Sequence, residues 1–178
     1  EGGQPRRLTT DAAEDVVPSW SRDGRWIYFT SQRSGSLQVW KMAATGGEAI
    51  QVTQQGGFEP LESPDGQWLY YARNRGSSAI WRMPVAGGAE SFVFDFHQKN
   101  YSRLWTFSGA GLLFAAPISL TRASVKTFIN NQERLVATLD CILRSDVSGL
   151  SLAPDGTALI FPVVPQRGSD LIMIENFR

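Results

Sequence analysis

Arginine is the residue type whose spacing in this sequence points most directly to binding chemistry. One arginine falls in each of four short polar segments that we predict to be loops, at Arg33, Arg75, Arg122 and Arg167. A planar guanidinium group matches the two oxygens of a carboxylate or phosphate, so converging arginines would bind a small anion or an acidic segment of a partner. The same arginines could instead form exposed ion pairs with neighbouring loops, each contributing about 0 to 1 kcal/mol.

A second candidate binding segment surrounds the one histidine. His97 and Tyr101 lie in an acidic and aromatic stretch, and we group both with the four arginines as candidate partner-binding residues. One histidine cannot form a histidine-rich metal site, and no Gly-x-Ser-x-Gly motif places a nucleophilic serine. Cys141 fits a small buried hydrophobe better than a nucleophile. We therefore predict a noncatalytic protein without a metal site or cofactor.

Three Asp-Gly pairs invite comparison with calcium-binding loops, because repeated carboxylates can ligate hard cations. The pairs begin at Asp23, Asp65 and Asp155, so they are far apart along the chain, and no Asp-x-Asp-x-Asp loop accompanies them. Glycine tolerates positive φ, and Asp-Gly is a frequent type I′ hairpin sequence. We therefore interpret the pairs as type I′ turns between strands.

Composition excludes several classes of protein. The chain has 178 residues, with 17 Lys and Arg against 17 Asp and Glu, so it lacks the basic excess that favours phosphate contacts, and we predict no nucleic acid partner. The apolar runs are only as long as strands, which predicts no membrane insertion. A single cysteine excludes an intrachain disulfide.

The chain repeats at intervals of about 42 residues, a spacing typical of propellers and solenoids. Residues 17–29 resemble residues 59–71; a further copy lies at 150–161 and a degenerate one at 105–114. Each copy combines an apolar strand, a glycine-containing turn and an aromatic-rich strand, the pattern of a β-hairpin. Residues 38–53 and 79–93 contain a second hairpin, so each repeat predicts four antiparallel strands.

Four-stranded units of this kind must pack on one another to bury both faces. The sequence therefore predicts an all-β fold, a single β-propeller over residues 1–178 with four four-stranded antiparallel blades. We place the blades at about 11–53, 54–94, 95–139 and 140–178, with an N-terminal strand at 4–10. An open stack or a β-sandwich is the alternative. Six tryptophans at recurring strand positions are predicted to pack between blades: Trp20, Trp26, Trp40, Trp68, Trp81 and Trp105.

These residues resemble the TolB-like propeller repeat, a relative of the WD repeat whose core reads Pro-x-Trp-Ser-Pro-Asp-Gly-x-x-Ile-x-Phe. The first copy departs from it at Arg22, where the family has proline, and we place Leu61 of the second copy at the tryptophan position. The resemblance implies the C-terminal blades of a larger bacterial protein, in which a DNA-binding regulator domain or a peptidase-like domain accompanies the propeller. It leaves the compartment open between cytoplasm and periplasm.

The two ends of the sequence look complementary. Residues 2–9 align with 46–53, an outermost strand, whereas residues 170–178 align with the third strand of a repeat. Pairing of the N-terminal strand with the C-terminal blade would complete four blades and cover an open edge. The alternatives are a fragment of a larger propeller and a homodimer that pairs through blade edges.

From these patterns we predict a noncatalytic binding or scaffolding module that mediates protein–protein interaction or ligand sensing within a larger protein. The predicted partner is a protein or a small anionic ligand. The alternative function is that of an accessory propeller domain, which gates or positions substrate for a hydrolase or peptidase.

Overall fold

The computed structural model describes residues 3–97, 104–109, 111–143, 149–164 and 170–175. These residues form sixteen β-strands and no helix. The strands make four separate four-stranded antiparallel sheets, which confirms the predicted all-β propeller fold with four blades. Within the described ranges, no helix has the length and apolar character needed to cross a membrane.

Each of the first two blades follows the chain from its innermost to its outermost strand, because short turns join neighbouring antiparallel strands. The first blade contains β1 (Asp15–Trp20), β2 (Trp26–Ser31), β3 (Gln38–Ala43) and β4 (Ile50–Gln51). The second contains β5 (Phe58–Glu62), β6 (Trp68–Ala72), β7 (Ala79–Pro84) and β8 (Ser91–Asp95).

The third blade has longer strands and the fourth has a divided inner strand. The third contains β9 (Trp105–Ser108), β10 (Gly111–Ser119), β11 (Arg122–Ile129) and β12 (Gln132–Leu139). The fourth contains β13 (Ile142–Leu143), β14 (Ser151–Leu152), β15 (Ala158–Val164) and β16 (Asp170–Glu175). Both β13 and β14 pair with β15 on the edge opposite β16, so β16 is the outermost strand.

The N-terminal segment does not form the strand that we predicted at residues 4–10. Residues 3–14 are outside all four sheets. Pro5 has no N–H to donate to a strand ladder. The neighbouring Arg6 guanidinium instead donates to the carbonyl oxygens of Thr45 at 2.7 Å and Ala44 at 3.1 Å, in the turn after β3. Hydrogen bonds from the Arg6 side chain therefore hold this segment, in place of the backbone hydrogen bonds expected of a strand.

The chain divides into two compact units. Unit 1 comprises residues 1–75 and 79–94, and unit 2 comprises residues 76–78 and 95–178. The core of unit 1 joins its two blades and includes Tyr28, Val39, Leu69, Tyr71 and Met83. The core of unit 2 takes residues from the segment 104–163 and contains fully buried side chains at Leu113, Val125, Leu159 and Phe161.

The Asp-Gly turns differ from the type I′ turns that we predicted. The Gly24 N–H donates to the Ser21 carbonyl oxygen at 3.0 Å, so Arg22 and Asp23 are the central residues, and neither has positive φ. A type I′ turn requires positive φ at both central positions. The prediction was therefore wrong for these turns. The same i to i+3 bond, with glycine fourth and at positive φ, recurs at Gly66 and Gly156.

The position of the repeat's tryptophan in the second blade is also corrected. Trp20 lies opposite Ile27 in the first blade, and Glu62 lies opposite Leu69 in the second. Glu62 therefore occupies the tryptophan position, and the placement of Leu61 there was wrong. The same one-residue bulge interrupts β1 between Val16 and Ser19 and β5 between Phe58 and Leu61, so the two strands keep equivalent positions after it.

Trp20 itself is not a core residue. Its side chain is 61% exposed, so the prediction that it packs between blades was wrong. The Ser19 hydroxyl donates to the Pro60 carbonyl oxygen at 2.7 Å, which shows that Ser19 faces the second blade. Successive strand residues face opposite sides, so Trp20 points away from the second blade, where unit 1 has no further sheet. Trp105 in unit 2 is buried as predicted.

Candidate functional site

The candidate site is built from the loops at one end of the blades in unit 1. In each blade, one of these loops leads into the innermost strand and another joins the second strand to the third. We call these loops the loop rim and define it by residues 9–15, 31–37, 54–57 and 73–75. The rim contains the predicted site residues Arg33 and Arg75. Two consecutive carboxylates bring these arginines together, because Asp15 pairs with Arg33 and Glu14 pairs with Arg75.

Arg33 is the fixed member of the rim. One of its terminal nitrogens lies 2.9 Å from each Asp15 carboxylate oxygen, and both side chains are only 14% exposed. The guanidinium carbon lies 5.2 Å from the Phe29 ring centroid and 5.0 Å from that of Trp40. Since its charge is paired and its plane is covered by aromatic rings, Arg33 supports the rim from within.

The Asp15 carboxylate is held in its charged form. Partial burial by itself raises the pKa of Asp15, but hydrogen bonds from Ser31, Arg33 and Thr9, with the Arg33 charge, lower the pKa below its ordinary value. The pair with Arg33 therefore persists at neutral pH. The sequence analysis indicated the arginine but not its pairing with Asp15, which joins residues 18 positions apart.

Arg75 is the accessible member of the rim. Its guanidinium lies 3.9 Å from the Glu14 carboxylate, with side-chain exposures of 59% and 64%. The buried ring of Phe58 lies beneath it, 5.4 Å from the guanidinium carbon. Such an exposed, widely spaced pair contributes little to stability, so a carboxylate from another molecule can replace Glu14 at small cost.

Arg73 is a functional neighbour that our sequence analysis missed. Its guanidinium stacks 3.4 Å from the Trp81 ring centroid and donates to Gln55 and Glu90, at 3.0 Å each. Trp40 of the first blade and Trp81 of the second are each covered by an arginine, so Arg73 plays in the second blade the part that Arg33 plays in the first. The sequence signal for this contact was an arginine directly after β6, the strand that pairs with the strand containing Trp81.

The remaining predicted site residues belong to unit 2. Arg122 lies 3.3 Å from the Asp140 carboxylate, and both side chains are exposed. His97 is exposed, has a φ of 55°, and its backbone N–H donates to the Asp95 carboxylate at 2.7 Å. Tyr101 and Arg167 lie outside the described residues. Convergence of all six predicted residues on one ligand stays a prediction.

The carboxylates of the Asp-Gly turns bind their own turns. The Asp23 carboxylate accepts hydrogen bonds from the Ser21 hydroxyl and the Arg25 backbone N–H, which lower its pKa to about 2. Asp65 and Asp155 make equivalent local bonds. Within the described ranges, no three residues of the types His, Cys, Asp and Glu cluster as metal ligands.

Cys141 lies just before β13 in unit 2. Its side chain is buried, and burial together with the nearby Asp140 charge raises the pKa of the Cys141 thiol. A raised pKa disfavours the thiolate, which is the nucleophilic form. Cys141 therefore contributes to packing in the core of unit 2.

Comparison with known protein families identifies the type of repeat. A family model described as the TolB beta propeller domain matches residues 1–61. The Tol-Pal system protein TolB of Francisella tularensis subsp. tularensis (strain WY96-3418) is 36% identical over 65 residues, covering 35% of this chain and 15% of that protein. An uncharacterized peptidase of Bacillus subtilis (strain 168) is 29% identical over 148 residues, covering 81% of this chain and 21% of that protein.

Comparison with solved structures concerns the fold. The crystal structure of TolB from Acinetobacter baumannii superposes with a TM-score of 0.63 at 18% identity, covering 90% of this chain and 40% of that one. At this identity the likeness shows the fold alone. The chain spans less than a quarter of the length of its curated bacterial relatives, whose shares of coverage are 15% and 21%.

Proposed function

Because the chain is built from TolB-like β-propeller repeats, we propose that it is a noncatalytic binding module for protein–protein interaction within a larger protein. The observation that carries the proposal is the contrast between two arginines of the loop rim. Arg33 is fixed by Asp15 and two aromatic rings, whereas Arg75 is exposed and only loosely paired. A fixed arginine and an exposed, loosely paired one on the same rim suit recognition, because only the exposed side chain has to be ordered on binding.

The partner group that fits this arrangement is a carboxylate. A guanidinium group can bind both carboxylate oxygens at once, and Phe58 beneath Arg75 limits the directions in which it can turn. Gln54, Gln55 and Asn74 are exposed amide residues of the same loop rim, and an amide N–H can donate to a carboxylate. A small anionic ligand is the second candidate occupant of the loop rim. In unit 2, taken by itself, Arg122 and His97 stay candidate anion-binding groups.

A second candidate function is that of an accessory propeller that gates or positions substrate for a hydrolase. The observation that favours it is the similarity to the Bacillus subtilis peptidase, which extends over 81% of this chain. In that case the loop rim would face a catalytic domain or its peptide substrate.

Site-specific photo-cross-linking in the source cell tests the proposal. A photoreactive amino acid at Asn74 lies on the loop rim, and one at Gln67 lies at the other end of β6; both positions are exposed. We expect position 74 to capture a discrete protein, Arg75→Ala to remove that product, and position 67 to capture none. Equal products from both positions, or none from position 74, would contradict the proposal. Capture of a hydrolase domain would favour the second function.

A further inference from the structure

The first blade presents an exposed isoleucine toward the second blade. The Tyr28 hydroxyl donates to the Glu62 carboxylate on β5 at 3.1 Å, which shows that this face of the first blade is turned toward the second. Tyr28, Lys41 and Ile50 lie directly opposite one another on β2, β3 and β4, and opposed residues share a face. Ile50 therefore lies on this face, yet its side chain is 51% exposed.

The second blade presents an exposed phenylalanine on the opposing wall. Trp81 packs against the unit 1 core, which includes Tyr28 and Val39 of the first blade. Phe92 on β8 meets the Trp81 ring edge to face, with centroids 5.8 Å apart, and is 56% exposed. The buried core of unit 1 thus continues outward between two walls, which are the facing surfaces of the first and second blades. We call this region the outer groove and define it by Lys41, Ile50, Trp81 and Phe92.

The charges of the outer groove are unequal. Glu90, the residue before β8, is neutralised by Arg73, whose terminal nitrogen lies 3.0 Å from the Glu90 carboxylate. The Lys41 ammonium lies 4.8 Å from the Trp26 ring centroid and has no ion pair with any residue that the structure describes. Glu48 is exposed in the turn before β4, outside the strand pairing that forms the wall. The walls themselves therefore carry one uncompensated positive charge beside two exposed apolar side chains.

We propose that the outer groove binds a segment of a partner protein that carries large apolar side chains next to an aspartate or glutamate. Ile50 and Phe92 would bury the apolar side chains, and Lys41 would pair with the carboxylate in a partly desolvated setting. Exposed apolar residues scattered singly need no explanation, whereas Ile50 and Phe92 lie on facing walls and extend one buried core outward. The inference rests on the proposed function and specifies a docking place and the chemistry of the partner.

Selection from a random 12-residue peptide library, displayed on phage and applied to the full chain, tests the inference. We expect the selected peptides to combine large apolar residues with Asp or Glu. Ile50→Ser and Phe92→Ser should each weaken their binding at least tenfold, whereas Leu120→Ser should not, because Leu120 is an exposed apolar residue of unit 2. Lys41→Glu should shift the selected charge from Asp and Glu to Lys and Arg. Thermal unfolding of each variant checks that the fold is retained.

The results separate this inference from the proposed function. An unchanged acidic preference in Lys41→Glu, unchanged binding in both serine variants, or a library that yields no peptide would overturn the groove assignment. Peptides whose binding is lost in Arg75→Ala but kept in Phe92→Ser would overturn it too, while the function proposed for the loop rim would stand. A dimer in light scattering that Phe92→Ser converts to a monomer would assign the groove to a second copy of the chain and overturn the partner class.

Discussion

The backbone N–H of Arg22 donates to the carboxylate of Glu62 across the two blades of unit 1. Both residues depart from the repeat pattern, in which proline and tryptophan stand at these positions. Proline has no N–H, so the bond exists only because Arg22 replaces it. Glu62 is buried and also accepts a hydrogen bond from the Tyr28 hydroxyl. Two departures in neighbouring repeats thus compensate each other.

Arg22→Pro restores the family residue and is expected to destabilise the protein. The turn tolerates proline, since Pro64 holds the equivalent position in the second blade, so the substitution removes the N–H donor together with the side chain, whose guanidinium donates to the Ser63 and Glu62 carbonyl oxygens. Losing a hydrogen bond to a buried charge should lower the free energy of unfolding by about 1.5 to 3 kcal/mol, measured by urea denaturation. Arg22→Ala keeps the N–H and should cost less. Equal losses in the two variants would show that the side chain, not the N–H, matters.

Thr53→Val tests the buried hydrogen bonds of Thr53, which lies between β4 and β5. The Thr53 hydroxyl donates to Gln38 at 2.8 Å and accepts from the Val39 N–H at 2.9 Å. Valine fills the same space but leaves the Val39 N–H without its acceptor and the Gln38 oxygen with only the Gly56 N–H, which should cost about 1 to 3 kcal/mol in chemical denaturation. Thr53→Ser retains the hydroxyl and is the matched control. If Thr53→Val keeps the wild-type stability, or loses no more than Thr53→Ser, which lacks only the methyl group, the hydroxyl bonds would not be what stabilises this position.

The Asp23 carboxylate should titrate far below an ordinary aspartate. Hydrogen bonds lower its folded-state pKa from 3.8 to about 2, so its contribution to stability is present above pH 4 and is lost as the pH falls through about 2. Carbon-13 NMR of the side-chain carboxyl groups measures the midpoint directly. Ser21→Ala removes the first of these bonds and should raise the pKa toward 3.8. A wild-type midpoint near 3.8 would contradict the assigned bonding.

The repeat period predicted where the blades lie in the sequence, because the same glycine-containing turn and aromatic-rich strand recur in each repeat. It could not locate the bulge residues Val17 and Glu59, which adopt positive φ without the glycine or asparagine that usually signals it. A type I′ turn does occur where Asn130 and Asn131 both have positive φ between β11 and β12. The asparagine pair was therefore a sequence signal for a type I′ turn, but we assigned that turn type only to the Asp-Gly pairs.

The residue types of the candidate site were predictable from the sequence, but the role of each residue was not. Arg33 and Arg75 hold equivalent places in their repeats, yet one is paired within the rim and the other is exposed. What separates them is the position of two consecutive acids in the first rim loop, Glu14 and Asp15, which depends on how that loop enters β1. Contacts between distant segments decide such roles, and a single sequence does not contain them.

Substitution of the two arginines should therefore separate stability from binding. Arg33→Lys keeps one nitrogen for the two Asp15 oxygens but removes the Nε–H bond to Ser31 and the planar group beside Trp40, so the free energy of unfolding should fall by about 1 to 3 kcal/mol. Arg75→Lys loses one exposed, loose pair and should change it by no more than about 0.5 kcal/mol. Urea denaturation of both variants measures the difference. A larger loss for Arg75→Lys would reverse the assignment, because the exposed arginine would then be the one that supports the fold.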